Sequence, residues 1–197
     1  MEVCRKYGVA SLRETVAIML ERGEQVALAR LAELPAGEYV AEDWIDDDGL
    51  SDEPLRVCVR VTIWPDGFTA DFTGSAPQVQ GPINTTWTGL QVACREIFKE
   101  IVDPHFPNNE GICRPLRVVC PEGTIFTTRR PAAVSTYWET GAYVSDLIWQ
   151  ALFPIATDRL SVGHSLSVCG TIVSGVDEER GQFVLVEPQA GGWGGND

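Results

Sequence analysis

LRVCVRVTIWPDGFTADF, residues 55–72, alternates apolar and polar side chains for ten positions and then turns back on itself. Leu55, Val57, Val59, Val61 and Ile63 fall on one face, and Arg56, Cys58, Arg60 and Thr62 on the other. That is the period of a strand with one buried side. Trp64-Pro65-Asp66-Gly67 has the composition of a tight turn, so Phe68 to Phe72 returns as the hairpin partner. Upstream, Gly37 to Ile45 is strand-like, with Tyr39, Val40, Trp44 and Ile45. Before it, residues 12 to 34 read as a helix. Leu12, Val16, Leu20, Ala27, Leu31 and Leu34 recur near the 3.6-residue period. Ser11 with Glu14 three positions on makes a capping box, and Pro35-Ala36-Gly37 ends the helix.

Downstream of the hairpin the texture changes. Thr73 to Thr86 is small, polar and rich in glycine and proline, and a helix from about Trp87 to Ile101 follows it. Asp103 to Gly111 is a second turn-rich loop. Leu116 to Cys120 and Thr124 to Thr128 read as a hairpin around Pro121-Glu122-Gly123. Ser135 or Thr136 caps a helix over Trp138 to Phe153, with Glu139 in its first turn. Ser165 to Val173 and Gln182 to Glu187 read as a last strand pair. The class expected is α+β, with antiparallel hairpins and about three packed helices.

The chain has 197 residues, 44% of them hydrophobic, which is ample for a core and argues against general disorder. Its net charge of −13 opposes binding to nucleic acid or to anionic membranes. Nine of its 28 acidic side chains lie in residues 33–53, which hold no basic one. The remainder carries 19 acidic against 15 basic groups, so the charge belongs to one loop region on a nearly balanced body. No run of 18 apolar residues occurs, and the N-terminal stretch lacks the apolar core of a secretory signal. A cytoplasmic location is therefore expected. The six cysteines form no C-x-x-C pair, so they give no support to a zinc site and read as reduced, mostly buried thiols.

The motifs exclude more chemistry than they offer. Asp46-Asp47-Asp48-Gly49 invites a calcium reading. With Gly49 as the sixth loop residue, however, Trp44 and Leu55 stand where acidic ligands belong, so it reads as a solvated acidic loop. No G-x-x-x-x-G-K-[ST] run is present, and the only lysines are Lys6 and Lys99. Any ATP used would then be bound by another polypeptide. There is no G-x-S-x-G elbow. In Gly163-His164-Ser165, neighbouring side chains of a strand point to opposite faces. Cys113 and His105 lie eight positions apart around a turn, and ordinary loop roles are favoured over a thiol–imidazole pair. The glycines at Gly74 and in the GGWGG tail (191–195) suit turns better than anion nests. The distinctive segment is Asp71 to Thr86, DFTGSAPQVQGPINTT. It reads equally as a polar site loop, with Gln78, Gln80 and Asn84 holding an amide or carboxylate, and as a turn that satisfies its own backbone.

The order LPAGEY, DDDG, strand, DFTGSAPQVQGPIN, PNNEG, P-x-G hairpin, GGWGG resembles the hydantoinase B/oxoprolinase family across nearly the whole chain. The resemblance implies an A-type partner that binds ATP and phosphorylates a carbonyl, enol or lactam oxygen. The B-type subunit then opens a cyclic amide with water or carboxylates a ketone. Amides are poor electrophiles, and O-phosphorylation makes the oxygen a leaving group. The B side then has to position water and stabilise charge. Family chains are more than twice as long, so residues 1–197 are expected to be the central portion of a larger subunit, inactive alone. The His- and Asp-containing motifs that supply the metal site in carboxylase members belong to the family's N-terminal part. A divalent metal is expected there, and none is expected in this chain.

Carried over residue by residue, the resemblance marks Asp71 and Ser75 as catalytic and Gln78, Asn84 and Asn108 as substrate-binding. It marks Gly74, Gly81, Gly192 and Gly194 as backbone or anion-loop positions. Pro82 and Gly111 also match the family pattern. A cyclic-amide hydrolase is the expected function. The alternatives are a ketone carboxylase alpha-type fragment and a non-catalytic module that docks the A-type partner.

Overall fold

The alternation at Leu55–Trp64 produces the central strand of a four-stranded sheet. Val57, Val59, Val61 and Ile63 are all buried, while Arg60 and Trp64 face outward. The computed structural model describes residues 2–157, 159, 163 and 165–192, with the side chain of Ala190 left aside. In chain order the elements are helices α1 (Glu2–Tyr7) and α2 (Val9–Leu31), then strands β1 (Gly37–Ile45), β2 (Leu55–Trp64) and β3 (Gly67–Asp71). Helix α3 (Trp87–Val102), a 3-10 turn (Glu110–Cys113) and strand β4 (Leu116–Val119) follow. Helix α4 (Tyr137–Leu152) and strands β5 (Val168–Asp177) and β6 (Gly181–Ala190) complete the described chain.

The sheet runs β1-β2-β3-β4, antiparallel except for the parallel β3–β4 pair. Helices α2, α3 and α4 pack on its inner face. Helix α3 buries Leu90, Cys94, Ile97, Phe98 and Ile101, and Phe68 of β3 meets Phe98 edge to face at 5.3 Å. Phe72 and Phe126 pair likewise at 5.1 Å. Burying an aromatic of this size contributes about 1.5–3 kcal/mol, so these rings anchor the helix layer to the sheet. The class is α+β, as the sequence patterning predicts.

Three local expectations are corrected. Helix α2 starts at Val9 after Gly8, whose φ of 84° lets the chain turn between α1 and α2. Ser11 therefore lies inside the helix, where its carbonyl accepts the Thr15 hydroxyl, and the capping box with Glu14 does not form. Thr136 stands at the N-cap of α4, but its side chain makes no capping bond. Thr124 to Thr128 do not pair with β4, which instead lies parallel to β3. The backbone of 123–128 is drawn to the long loop before α3, through Gln78 N–Gly123 O at 2.9 Å, Ile125 N–Ala76 O at 3.0 Å and Thr85 N–Ile125 O at 2.8 Å. Turn composition around Gly123 is real, but its neighbours find partners some 45 residues upstream.

Strands β5 and β6 pair with each other over ten residues, as expected, and form a separate two-stranded ribbon. Every residue of β5 is exposed. Among the described residues, no helix is long and apolar enough to cross a membrane.

Candidate functional site

Loop 72–86 leaves the end of β3 and runs along the edge of β2 to the start of α3. The polar side chains marked in the sequence, from Asp71 at its start to Asn84, are each held by hydrogen bonds. Asp71 is half-buried, and its Oδ1 accepts the Thr73 N–H at 2.9 Å, which turns the chain. Ser75 is buried, and its Oγ bridges the backbone of Cys58, accepting from N and donating to O, both at 3.1 Å. Arg56 Nη1 donates to Gly74 O at 3.1 Å while its Nη2 pairs with Glu42 at 2.6 Å. Loop and β2 are thus stitched together where β3 has ended.

Further along, Gln78 Oε1 accepts from Arg129 N at 2.8 Å and from the Thr128 hydroxyl at 3.1 Å. Asn84 is fully buried. Its Oδ1 accepts Val79 N at 2.8 Å, and its Nδ2 donates to Val79 O, Gly81 O and Ala133 O, each at 2.9 Å. No atom of the Asn84 amide is left for a substrate. Between the two readings of this loop, the geometry of Ser75, Gln78 and Asn84 follows the self-satisfied turn. These three side chains hold the loop in shape.

Gly81 N donates to Asp48 Oδ2 at 2.9 Å, and Asp48 Oδ1 accepts Leu50 N and Ser51 N. Asp48 is therefore buried, whereas the sequence reading places it in a solvated acidic loop. A Cβ on Gly81 would lie 1.8 Å from Asp48 O, so the two segments touch backbone to backbone. Backbone N–H donors, Gly81 first, hold the Asp48 carboxyl below the usual aspartate range. A carboxylate with a depressed folded-state pKa stabilises the fold above its unfolded value of about 4 and loses that contribution as pH falls through the folded pKa. Thermal melts between pH 2 and 7 are expected to show a lower midpoint below pH 4. Asp48→Asn should flatten that acid limb, and an unchanged acid limb would remove Asp48 as its source.

The marked residues line three separate grooves. Asp71 lines a groove of about 290 Å³ on the outer face of the sheet, with Arg56, Cys58, Arg60 and Thr73. Asn108 lines a groove of about 600 Å³ with Lys99 and Cys113, and its neighbour Asn109 caps the 3-10 turn through Gly111 N at 2.9 Å. Gly192 lines a groove at the base of the β5–β6 ribbon. Gly194 and His164 lie outside the described residues. Burial pushes the Cys113 thiol up, and His105 is exposed, with no hydrogen bond joining the two among the described residues. Cys58 and Cys94 are buried, Cys4, Cys113 and Cys120 half-buried, and Cys169 exposed, all of them free thiols. Among the described residues, no three His, Cys, Asp or Glu side chains converge to hold a metal. In the sequence Arg56 is visible only as a strand residue facing outward. Nothing local says that its guanidinium meets Gly74.

Fold and site together define an α+β unit whose polar loop is locked onto a central strand and leads straight into a helix. The hydantoinase B/oxoprolinase family model matches residues 1–197, and the chain belongs to that family. It is 30% identical over 207 residues to a putative D-/L-hydantoinase B-type chain of Pseudomonas sp. (strain NS671), covering 99% of this chain and 34% of that one. It thus spans about a third of that relative's length. The ATP-dependent caprolactamase from Pseudomonas jessenii has the same fold over 93% of this chain and 32% of its own, with a TM-score of 0.77 at 22% identity. Acetone carboxylase in a nucleotide-free structure matches with a TM-score of 0.80 at 17% identity, over 94% of this chain and 27% of its own.

Proposed function

We propose that this chain provides B-type residues to an ATP-dependent cyclic-amide hydrolase, acting on a hydantoin- or lactam-like ring after an A-type partner has phosphorylated the ring oxygen. The observation that carries the reading is the family match over the entire chain, together with the putative hydantoinase relative. The lack of any Walker loop in the sequence accords with ATP being bound by the partner. Phosphorylation of the amide oxygen makes the ring carbon electrophilic. Water adds there, the C–N bond breaks as nitrogen takes a proton, and a second water releases phosphate from the acyl phosphate so formed. Asp71, in its open groove, is the group we assign to orienting a water. Asp71 is placed by strand pairing with Arg60 and Val119 at the end of β3, Ser75, Gln78 and Asn84 hold the loop that follows, and no step draws on a metal held by this chain.

One observation favours a second role, docking of the A-type partner. The β5–β6 ribbon exposes Ile172, Val176, Val184 and Val186, and an isolated two-stranded ribbon is marginal in water without a partner.

The test places residues 1–197 within a full-length hydantoinase B-type chain, co-purifies it with an A-type partner, and assays ADP release and ring opening on 5-substituted hydantoins and lactams. ATP-dependent ring opening is expected. A stable complex that carboxylates a ketone instead, or turns nothing over, would overturn the hydrolase reading, and the latter result would leave docking.

A further inference from the structure

Two arginines line the Asp71 groove, and their guanidiniums are used differently. Arg56 and Arg60 both project from the outer face of β2. Arg56 is committed to the fold. Its Nε and Nη2 donate to Glu42 Oε2 at 3.1 and 2.6 Å, and its Nη1 donates to Gly74 O at 3.1 Å. Arg60 is not committed. Its side chain is 57% exposed, and Glu38 Oε2, 3.9 Å from its Nε, is the one carboxylate oxygen in ion-pair reach among the described residues. Among those residues its N–H groups make no hydrogen bond. An exposed pair at that separation contributes little.

Asp71 stands directly opposite Arg60 in the β2–β3 ladder. Opposite charges so placed ordinarily gain from bridging. Here no bridge joins them. Asp71 Oδ1 accepts the Thr73 N–H at 2.9 Å, and Oδ2 accepts no hydrogen bond among the described residues. One groove therefore holds a guanidinium with its donors open and a carboxylate oxygen with its lone pairs open, side by side. Charge then selects the ligand. Glu42 neutralises Arg56, which leaves Arg60 as the cation of the lining that is open to an anion. Its planar fork of donors matches two oxygens of a phosphoryl group. Asp71 repels that group, so an O-phosphorylated ring is oriented with its phosphoryl group at Arg60 and its ring carbon toward Asp71. Opposed side chains of neighbouring strands have Cβ atoms about 5 Å apart, so both can engage one small ligand.

We propose that Arg60 binds the phosphoryl group of an O-phosphorylated ring in this groove, so that the groove takes the activated substrate in preference to the free cyclic amide. The assignment rests on the hydrolase reading for the identity of the ring, and on Arg60 and Asp71 for the place. The test uses residues 1–197 within a full-length B-type chain and titrates it by calorimetry with phenyl phosphate, and separately with the neutral amide benzamide. Phenyl phosphate is expected to bind the more tightly of the two. Arg60→Gln should weaken it roughly tenfold, the worth of a charge-assisted contact. Arg60→Lys should fall between, since an ammonium keeps the charge and loses the fork. Arg117→Gln removes an exposed arginine of the same sheet face that does not line the groove, and should leave the affinity unchanged. Arg60→Gln should melt within about 2 °C of the wild type, because an exposed, loosely paired side chain adds little to stability. With the A-type partner present, Arg60→Gln should raise the ADP released per ring opened roughly tenfold, as phosphorylated rings escape the groove unopened. Wild-type affinity for phenyl phosphate in Arg60→Gln, an equal loss in Arg117→Gln, or benzamide bound as tightly as phenyl phosphate would each overturn the proposal. Phenyl phosphate held through Arg60 without ring opening in the wild-type complex removes the hydrolase reading and keeps the anion subsite. Ring opening with an unchanged ADP ratio in Arg60→Gln keeps the hydrolase reading and removes the subsite.

Discussion

Asn84→Ala is expected to lower the melting temperature of this protein by roughly 10 °C. The substitution strands Val79 N and the carbonyls of Val79, Gly81 and Ala133, all of which the Asn84 amide satisfies. Each buried polar group left unpaired costs about 1–3 kcal/mol. Water entering the vacated space recovers part of that, leaving a net loss of about 3–4 kcal/mol. In a chain of this size each kcal/mol moves the midpoint by about 2–4 °C. Asn84→Asp does no better, because it keeps the acceptor for Val79 N and turns a carboxylate toward three carbonyls. If the proposed hydrolase activity is present, it is expected to fall together with the fold. Calorimetry separates this from a substrate contact, since lost turnover at an unchanged melting temperature would show that the amide serves a ligand.

Gly111→Ala has an effect of similar size for a different reason. Its Cβ would lie 1.9 Å from Leu20 O and 2.6 Å from Leu20 C, both backbone atoms that cannot swing aside. Gly23 approaches from the other side, where a Cβ would stand 2.6 Å from Asn109 Oδ1 and 2.8 Å from Ile112 N. Helix α2 and the 3-10 turn thus meet through paired glycines. In an exposed helix interior Gly23 costs about 1 kcal/mol against alanine, and here the close approach reverses that preference. Overpacking a rigid contact costs about 1–3 kcal/mol and sometimes more, and two backbone clashes place Gly111→Ala at the upper end. The expected result is a melting temperature lower by several degrees and faster amide exchange in residues 23–31. Wild-type exchange there would mean that the helix can shift to make room.

Much of this architecture is legible in local patterns. The alternation from Leu55 to Ile63 and the turn at Pro65-Asp66-Gly67 read directly as the hairpin that is found, and the helix near Trp87 is placed within a residue at either end. The family was legible too, because DFTGSAPQVQGPIN is a rare order of residues and the match extends over the whole chain. The expectations that changed concern partners. A capping box at Ser11 and a hairpin at Gly123 are correct local chemistry that a positive-φ glycine and a distant loop overrule.

The candidate site divides in the same way. Strand period, turn composition and helix period are set by neighbouring residues, so the order of elements follows from the amino-acid string. Where a polar side chain spends its hydrogen bonds is set by residues far away. Asn84 meets Ala133 across 49 positions, Gly81 meets Asp48 across 33, and Ser75 meets Cys58 across 17. From the string alone Ser75, Gln78 and Asn84 are polar groups available to a ligand, and Thr85 is an unmarked neighbour. Once the chain is packed, Ser75 and Asn84 are committed to backbone, Gln78 Oε1 to Arg129 N and the Thr128 hydroxyl, and Thr85 holds a buried hydroxyl with no partner. Only three-dimensional packing brings those partners within reach, and so it settles which polar atoms remain free for chemistry.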